Sequence, residues 1–310
     1  MKVLLIWLGK MGQFHLQNLL NISEIKKIYA FDVFEESFKV KNEKIVYSTK
    51  LEDFENLDYD FVDIVAPTKF HYSYLEKFIK LNKNIFVEKP LVTTKEDLDS
   101  LDDLIKKTDY SWKIWVWFIE RFNTVSKFLK GKISELWQPK LIEMFRYNPA
   151  SWRIQDVDVT TDLMIHDIDL VKYFLSDNWQ ITWKNVQVDT STVLLKFQNT
   201  NITLSANRIT QQKIRRIKFY YDNLTIDWDL MLAKVDMFHK PSEYLTSKWQ
   251  DLSISYLIEE KYLMKNNQLL EELQEFINIV KWWEYKLLAD YESWKQSIYL
   301  LNKILENVWN

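Results

Sequence analysis

Within the first 118 residues the apolar positions follow two alternating periods. Short runs, Lys2-Val3-Leu4-Leu5-Ile6, Lys27-Ile28-Tyr29-Ala30-Phe31-Asp32, Phe61-Val62-Asp63-Ile64-Val65 and Asn84-Ile85-Phe86-Val87, read as strands buried on both faces, because a parallel sheet covered by helices has no polar side. Between them the spacing predicts helices over Met11 to Leu20, roughly Lys69 to Leu81 and Lys95 to Lys107, then a strand over Lys113 to Phe118. Strands alternating with helices predict an α/β domain built on a doubly wound parallel sheet, residues 1–118.

Beyond Phe118 the texture changes, and residues 119–310 read as a second, α+β domain. A helix near Thr124 to Lys130, a strand near Lys140 to Arg146 and a helix from about Asp162 to Leu175 come first. Then Gln180 to Asp189, Ser191 to Phe197, Asn201 to Asn207, Ile214 to Tyr220 and Asn223 to Asp227 predict a mostly antiparallel meander. Helices over Gln268 to Val280 and Tyr291 to Leu305 close the chain, and the stripe Leu269, Leu270, Leu273, Phe276, Ile277, Val280 has the spacing of a core face.

Composition narrows the function. The 310 residues are 47% hydrophobic and 27% charged, as in a globular protein of two domains. A net charge of −3 without a basic stripe points away from nucleic acid and membrane surfaces. With no Cys there are no disulfides or thiolate metal sites. The apolar run at the amino terminus is too short for a signal peptide or a spanning helix, so the expectation is a cytoplasmic protein.

Gly is scarce. There are 3, where an average content of about 7% would give about 22, while Trp numbers 14. Several Trp stand where the backbone asks for Gly: Trp7 in a strand-to-helix turn, Trp179 after Leu175-Ser176-Asp177-Asn178, and Trp282-Trp283 after an amphipathic helix. The pattern reads as Gly codons translated as Trp, as where UGA is reassigned. The alternative is a genuinely Trp-rich protein, which ordinary UGG codons at these positions would establish.

Trp7-Leu8-Gly9-Lys10-Met11-Gly12 lies between the first strand and the first helix, where a G-x-G-x-x-G dinucleotide fingerprint would lie. Gly9 would let the backbone approach a pyrophosphate at the helix amino terminus, and Gly12 would let helix and strand pack closely. Asp32, twenty residues after Gly12, ends the second strand. A carboxylate there accepts a ribose 2′-hydroxyl and repels a 2′-phosphate, which favours NAD over NADP; a turn residue is the alternative.

Lys89 follows the Ile85-Phe86-Val87 run, and Pro90 stops the strand because it cannot donate to a ladder. Lys89 is thereby held at a carboxyl strand end, where open α/β sheets bind ligands. In Thr160-Thr161-Asp162-Leu163-Met164-Ile165-His166-Asp167-Ile168-Asp169, a helix would set Asp162 and His166 on one face, with Asp169 a turn further. A His beside a carboxylate suits removal of a hydroxyl proton near neutral pH. The same residues would also suit a capped helix with a satisfied His, or, less simply, metal ligation. His15 reads as packing or solvent contact, His71 as a cleft residue or a cap, and His239 carries no signal.

On the fingerprint, Ala66-Pro67-Thr68 with His71, Glu88-Lys89-Pro90, and Asp162 with His166, the chain resembles the Gfo/Idh/MocA oxidoreductase family over nearly its whole length. Within it, Glu120-Arg121-Phe122-Asn123, Arg153-Ile154-Gln155-Asp156-Val157, His166-Asp167-Ile168-Asp169 and Ala206-Asn207-Arg208 look most like UDP-N-acetylglucosamine 3-dehydrogenases. Trp7, Trp117 and Trp137 stand where such relatives usually carry Gly.

The resemblance implies a Rossmann domain that holds NAD through Trp7, Gly9, Lys10, Met11, Gly12, Asp32, Ala66, Pro67, Thr68, His71, Glu88 and Lys89. Substrate, a sugar or nucleotide sugar lying between the two domains, would meet Arg121, Asn123, Arg153 and Asp162. Hydride would leave a sugar carbon for the nicotinamide, His166 would accept the hydroxyl proton, Lys89 would hold the oxygen, and Asp162 would orient Lys89 and substrate. No metal is implied. Arg121, Arg146, Arg153 and Arg208 suit a diphosphate, or equally surface ion pairs. An inositol or free-sugar dehydrogenase and a non-catalytic NAD- or sugar-sensing regulator are the alternatives. A homo-oligomer, dimer or tetramer, built on the open face of the second sheet is also implied.

Overall fold

The chain begins with β1 (Lys2–Ile6), whose last four residues are buried, and turns through Gly9 into α1 (Lys10–Asn21). The computed structural model describes residues 1–92, 94–110, 114–136, 138–150, 157–175, 179–240, 257–282 and 289–306. Arg153, Trp137 and Trp283 lie outside them. Two compact units result, Met1–Phe122 with Asn267–Tyr299, and Asn123–Asn266 with Leu300–Asn310.

In the first unit β2 (Lys27–Phe31), β3 (Ile45–Ser48), α2 (Glu52–Glu55), β4 (Phe61–Ile64), α3 (His71–Lys80), β5 (Asn84–Glu88), α4 (Lys95–Lys107) and β6 (Ile114–Trp117) follow α1. The six strands are parallel in the order β6-β5-β4-β1-β2-β3. A short strand, β15 (Ala289–Asp290), pairs antiparallel with β6. The doubly wound sheet expected from the alternation is present, and its order reverses between β1 and β4, which makes the crevice beside their carboxyl ends the switch point. Helix starts follow local chemistry: Thr94 accepts Asp97 N–H at 3.0 Å to cap α4, whereas Gly9 heads α1 with no side-chain cap. The sequence reading lacks β3 because that edge strand is four residues long and only partly buried.

Helix α7 (Gln268–Trp282) belongs to this unit. Leu269, Leu273, Phe276 and Ile277 join Val3, Leu5, Leu16 and Phe86 in one core, with Phe276 stacked on Phe86 at 4.9 Å and edge-on to Phe61 at 5.1 Å. The expected boundary, 119–310 for the second domain, therefore differs from the observed division. The apolar spacing of α7 declares a buried face but not which sheet buries it.

The second unit is built on β7 (Leu141–Tyr147), β8 (Gln180–Val186), β9 (Thr190–Phe197), β10 (Thr200–Asn207), β11 (Ile214–Tyr220), β12 (Leu224–Asp229), β13 (Lys234–His239) and β14 (Leu257–Tyr262). Their order is β14-β13-β12-β11-β7-β10-β9-β8, antiparallel except between β7 and β10. Helices α5 (Thr124–Glu135) and α6 (Ile165–Leu175) cover one face, where Phe128 meets Trp228 at 5.7 Å and Phe174 meets Phe219 at 6.1 Å. The opposite face carries a cross-strand row of charge, Glu143, Lys218, Asp227 and Asp236, directly opposed in register. Beyond the expected strands the meander gains β13 and β14. Helix α8 (Tyr291–Leu305) ends the described chain. Among the described residues no helix is long and apolar enough to cross a membrane.

Candidate active site

The loop after β1 is set by backbone demands. Trp7 lies at φ 75°, in the left-handed region that favours Gly, and its N–H donates to Phe31 O at 2.7 Å. A Cβ on Gly12 would stand 2.1 Å from Trp7 O, so only Gly lets α1 lie this close to the loop. A Cβ on Gly9 would meet nothing within 4 Å. Gly9 thus opens onto free space at a helix amino terminus whose first turn carries no acidic side chain, the setting that binds phosphate oxygens. Lys10 is exposed and Met11 half-buried. A cleft of about 630 Å³ adjoins the loop, lined among others by Leu8, Gly9, Lys10, Gln13, Phe14 and Phe34.

Asp32 is buried, and its carboxylate braces this loop: Leu8 N–H donates to Oδ2 at 2.7 Å and Phe34 N–H to Oδ1 at 3.0 Å. Gln13 adds a second brace, its Nε2 donating to Leu8 O at 2.9 Å and Ser37 O at 2.7 Å. The Trp7 indole stacks on Phe70 at 5.4 Å and donates from Nε1 to Tyr74 Oη at 2.9 Å. Phe70 follows β4 and Tyr74 sits on α3, so the indole spans the β1–β4 switch point. The glycines fit a dinucleotide, and the indole beside them is tied to Phe70 and Tyr74.

Beside the loop, Ala66 is buried, Pro67 exposed and Thr68 half-buried. His71 is a clip rather than a cleft residue: its Nδ1 faces Pro90 O at 2.7 Å and its Nε2 faces Ala66 O at 2.8 Å. Burial pushes its pKa down, against those carbonyls. The ring ties the loop after β4 to the loop after β5. Lys89, half-buried, stands at the carboxyl end of β5, and its bond to Pro90 is cis. Glu88 Oε2 is sealed from solvent, and burial pushes this carboxyl up to about 7 against the charges of Lys89 and His15.

In the second unit the chain enters α6 through one π turn, Thr160–Met164, which holds Asp162. Asp158 anchors that turn, accepting Thr160 N–H at 2.8 Å, Thr161 N–H at 3.1 Å and Thr161 Oγ1 at 2.7 Å. A plain α-helix from Asp162 was expected; the wider turn re-aims Asp162 relative to His166, and such turns recur at functional sites. Asp162 is 8% exposed and His166 half-buried.

Of the four arginines suited to a diphosphate, Arg153 lies outside the described residues and the other three have side-chain partners. Arg146 donates from Nε and Nη2 to Asp167 Oδ1 at 2.9 and 2.7 Å, both side chains buried. Arg208 binds Asp189 and Val188 O, and Arg121 donates to Ser293 Oγ at 3.0 Å. Asn123 caps α5 by accepting Val125 N–H at 2.9 Å and donates to Leu230 O at 3.3 Å. Among the described residues no group of three His, Asp or Glu converges to hold a metal ion.

The sequence reading passed over one buried constellation. His15, fully buried, meets Asp63 Oδ2 through Nδ1 at 2.8 Å. The signal was present: Asp63 is a charge inside a strand otherwise apolar on both faces, and such a charge requires a partner.

Comparison with known proteins agrees with the fold. Residues 1–113 match the model of the Gfo/Idh/MocA oxidoreductase family, NAD-binding Rossmann fold. The chain is 24% identical to UDP-N-acetylglucosamine 3-dehydrogenase of Acidithiobacillus ferrooxidans over 90% of this chain and 88% of that protein. A structure of that enzyme superposes with a TM-score of 0.81, covering 98% of this chain and 96% of the other at 20% identity. Myo-inositol 2-dehydrogenase of Thermotoga maritima is 25% identical over 91% of this chain and 88% of its own. Levoglucosan dehydrogenase in complex with NADH and levoglucosan shares the fold, with a TM-score of 0.79 at 16% identity, covering 99% of this chain and 97% of the other.

Proposed function

Since residues 1–113 match the Gfo/Idh/MocA family of NAD-binding oxidoreductases, we propose that the chain oxidises a sugar hydroxyl, with a nucleotide sugar such as UDP-N-acetylglucosamine, at C3, as substrate. The observation that carries this is topological. Lys89 stands at the carboxyl end of β5, two strands from the Gly9 loop at the end of β1, on the same edge of one sheet.

NAD, when bound, supplies the hydride acceptor. Gly9 admits the diphosphate to the amino terminus of α1, and Gly12 keeps that helix against the loop. His166 takes the hydroxyl proton as the C–H bond breaks, and the Lys89 ammonium stabilises the charge that grows on the oxygen. Asp162 orients Lys89 and the sugar. Protein assembly runs through the charged face of the second sheet, and sedimentation would read its order.

The substrate is tested by a panel of UDP-N-acetylglucosamine, myo-inositol and free sugars with NAD, on the chain and on its Trp7→Gly variant. NADH production with the nucleotide sugar, abolished by Lys89→Ala while NADH still binds, is the expected result. Preference for myo-inositol would move the assignment to the inositol dehydrogenases, which the equal similarity to the Thermotoga enzyme supports. Tight NADH binding with no turnover on any sugar would make the protein a sensor.

A further inference from the structure

Four polar atoms converge beneath the ends of β4, β5 and β6 in the first unit. His15 Nε2, Asp63 Oδ1, Glu88 Oε2 and Trp117 Nε1 are each sealed from solvent with no hydrogen-bond partner among the described residues. Strand alternation explains why they meet. Asp63 lies opposite Phe86, and Glu88 lies opposite Trp117, so these strand side chains share the face that packs on α1, which brings His15, and on α7. The His15 ring meets the Trp117 ring edge-on at 4.9 Å and lies 6.3 Å from Phe86. Apolar walls keep the charges there from being screened by water.

Unpaired polar atoms in a core each cost stability, and a purely structural core would place apolar side chains there. The chamber instead gathers His15 from α1, Asp63 from β4 and Glu88 from β5. Its neighbour from α7 is Glu272, fully buried, whose Oε1 accepts Phe118 N–H at 2.9 Å. From β6 come only Trp115 and Trp117, and Lys89 is the charge next along the chain. Burial alone would push His15 down, but Asp63 outweighs it and raises the imidazole above its ordinary range. A cation and an anion in contact, placed against a carboxyl that adjoins Lys89, couple the four groups electrostatically.

We propose that His15 and Asp63 are positioning residues, a sealed ion pair that acts on Glu88 and, through it, holds the Lys89 ammonium in place toward the substrate oxygen. The proposal rests on the reading of Lys89 as the group that holds that oxygen. It deepens that reading by adding residues that touch neither cofactor nor sugar.

Histidine-selective ¹⁵N NMR on the full chain tests the charge. With four His in the sequence, His15→Asn assigns the His15 signals. Both His15 ring nitrogens are expected to carry protons at pH 7, and the midpoint of their titration is expected to move in Glu88→Gln. Kinetics test the role. Asn keeps an amide donor where Nδ1–H stands but cannot carry charge, so a merely structural His15 would be replaced by it without loss. We expect His15→Asn and Asp63→Asn to lower kcat about tenfold or more with NADH affinity within twofold and thermal unfolding still cooperative. An uncharged His15 at pH 7, or an unchanged kcat in His15→Asn, would overturn the proposal. If the unaltered chain turns over no sugar, the reading of the site has failed instead. The NMR still decides the coupling, since a His15 midpoint unmoved by Glu88→Gln removes it.

Discussion

The Trp7 indole reaches Tyr74 Oη at 2.9 Å, joining the loop after β1 to α3 across the crevice where the sheet order reverses. A bulky residue held at φ 75° costs about 1–2 kcal/mol against Gly, and the side chain adds bulk at the turn of the dinucleotide fingerprint. Gly at this position removes both obstacles. This is the structural support for reading Trp7 as a Gly codon translated as Trp.

Fluorescence titration with NADH should therefore separate the chain from Trp7→Gly, with the variant binding at least tenfold more tightly. Equal, tight binding by both would show that the indole swings aside, and the backbone strain would then be its only consequence.

Gly12→Ala should fail for a different reason. Its Cβ would stand 2.1 Å from a backbone oxygen, which cannot rotate away. α1 must shift outward, at a cost of about 1–3 kcal/mol, with loss of NADH binding. Gly9→Ala, whose Cβ meets nothing within 4 Å, should leave the unfolding midpoint nearly unchanged and weaken only NADH. Urea unfolding beside NADH titration reads both.

The buried carboxyl of Glu88 predicts a pH dependence. Its pKa is raised from 4.5 to about 7, so between those values the folded state binds more protons than the unfolded one. Stability then falls as pH rises through that window, by about 3 kcal/mol in all. His15, raised by Asp63, acts in the same direction: its contribution is full below the ordinary imidazole value and is lost as pH climbs through the raised one. Thermal unfolding of the chain and of Glu88→Gln between pH 4 and 9 should show the gap between them widening in favour of Gln as pH rises.

Arg146 should behave as a structural residue. Removing one partner of its buried pair with Asp167 leaves a charge uncompensated, so Arg146→Ala should cost about 3–5 kcal/mol, and Arg146→Met with Asp167→Leu should recover most of it. Chemical denaturation reads this directly. A variant of normal stability whose KM for a nucleotide sugar alone rises would return Arg146 to the diphosphate.

Much of the molecule was legible before any coordinates. The alternation of apolar runs and amphipathic helices contains the doubly wound sheet, because strand burial and helix periodicity are local. The same holds for Gly12, whose need for close packing follows from its place between a strand and a helix. Less legible was what each polar side chain does. Arg146 and Asn123 carry the chemistry of substrate recognition, yet one is spent on Asp167 and the other on a helix cap. His71 is named by its motif but acts as a clip between two loops.

The sequence by itself determined the strand-helix alternation of the first sheet, the dinucleotide loop, and the placing of Lys89 at a strand end, because each depends on residues within a few positions of one another. Only the tertiary structure decided that α7 returns to the first sheet, that Trp7 reaches Tyr74, and that His15 finds Asp63 forty-eight residues away. Such partners are chosen by which faces are buried together. A hydrogen bond or an ion pair acquires its worth from that burial, and burial is a property of the assembled chain.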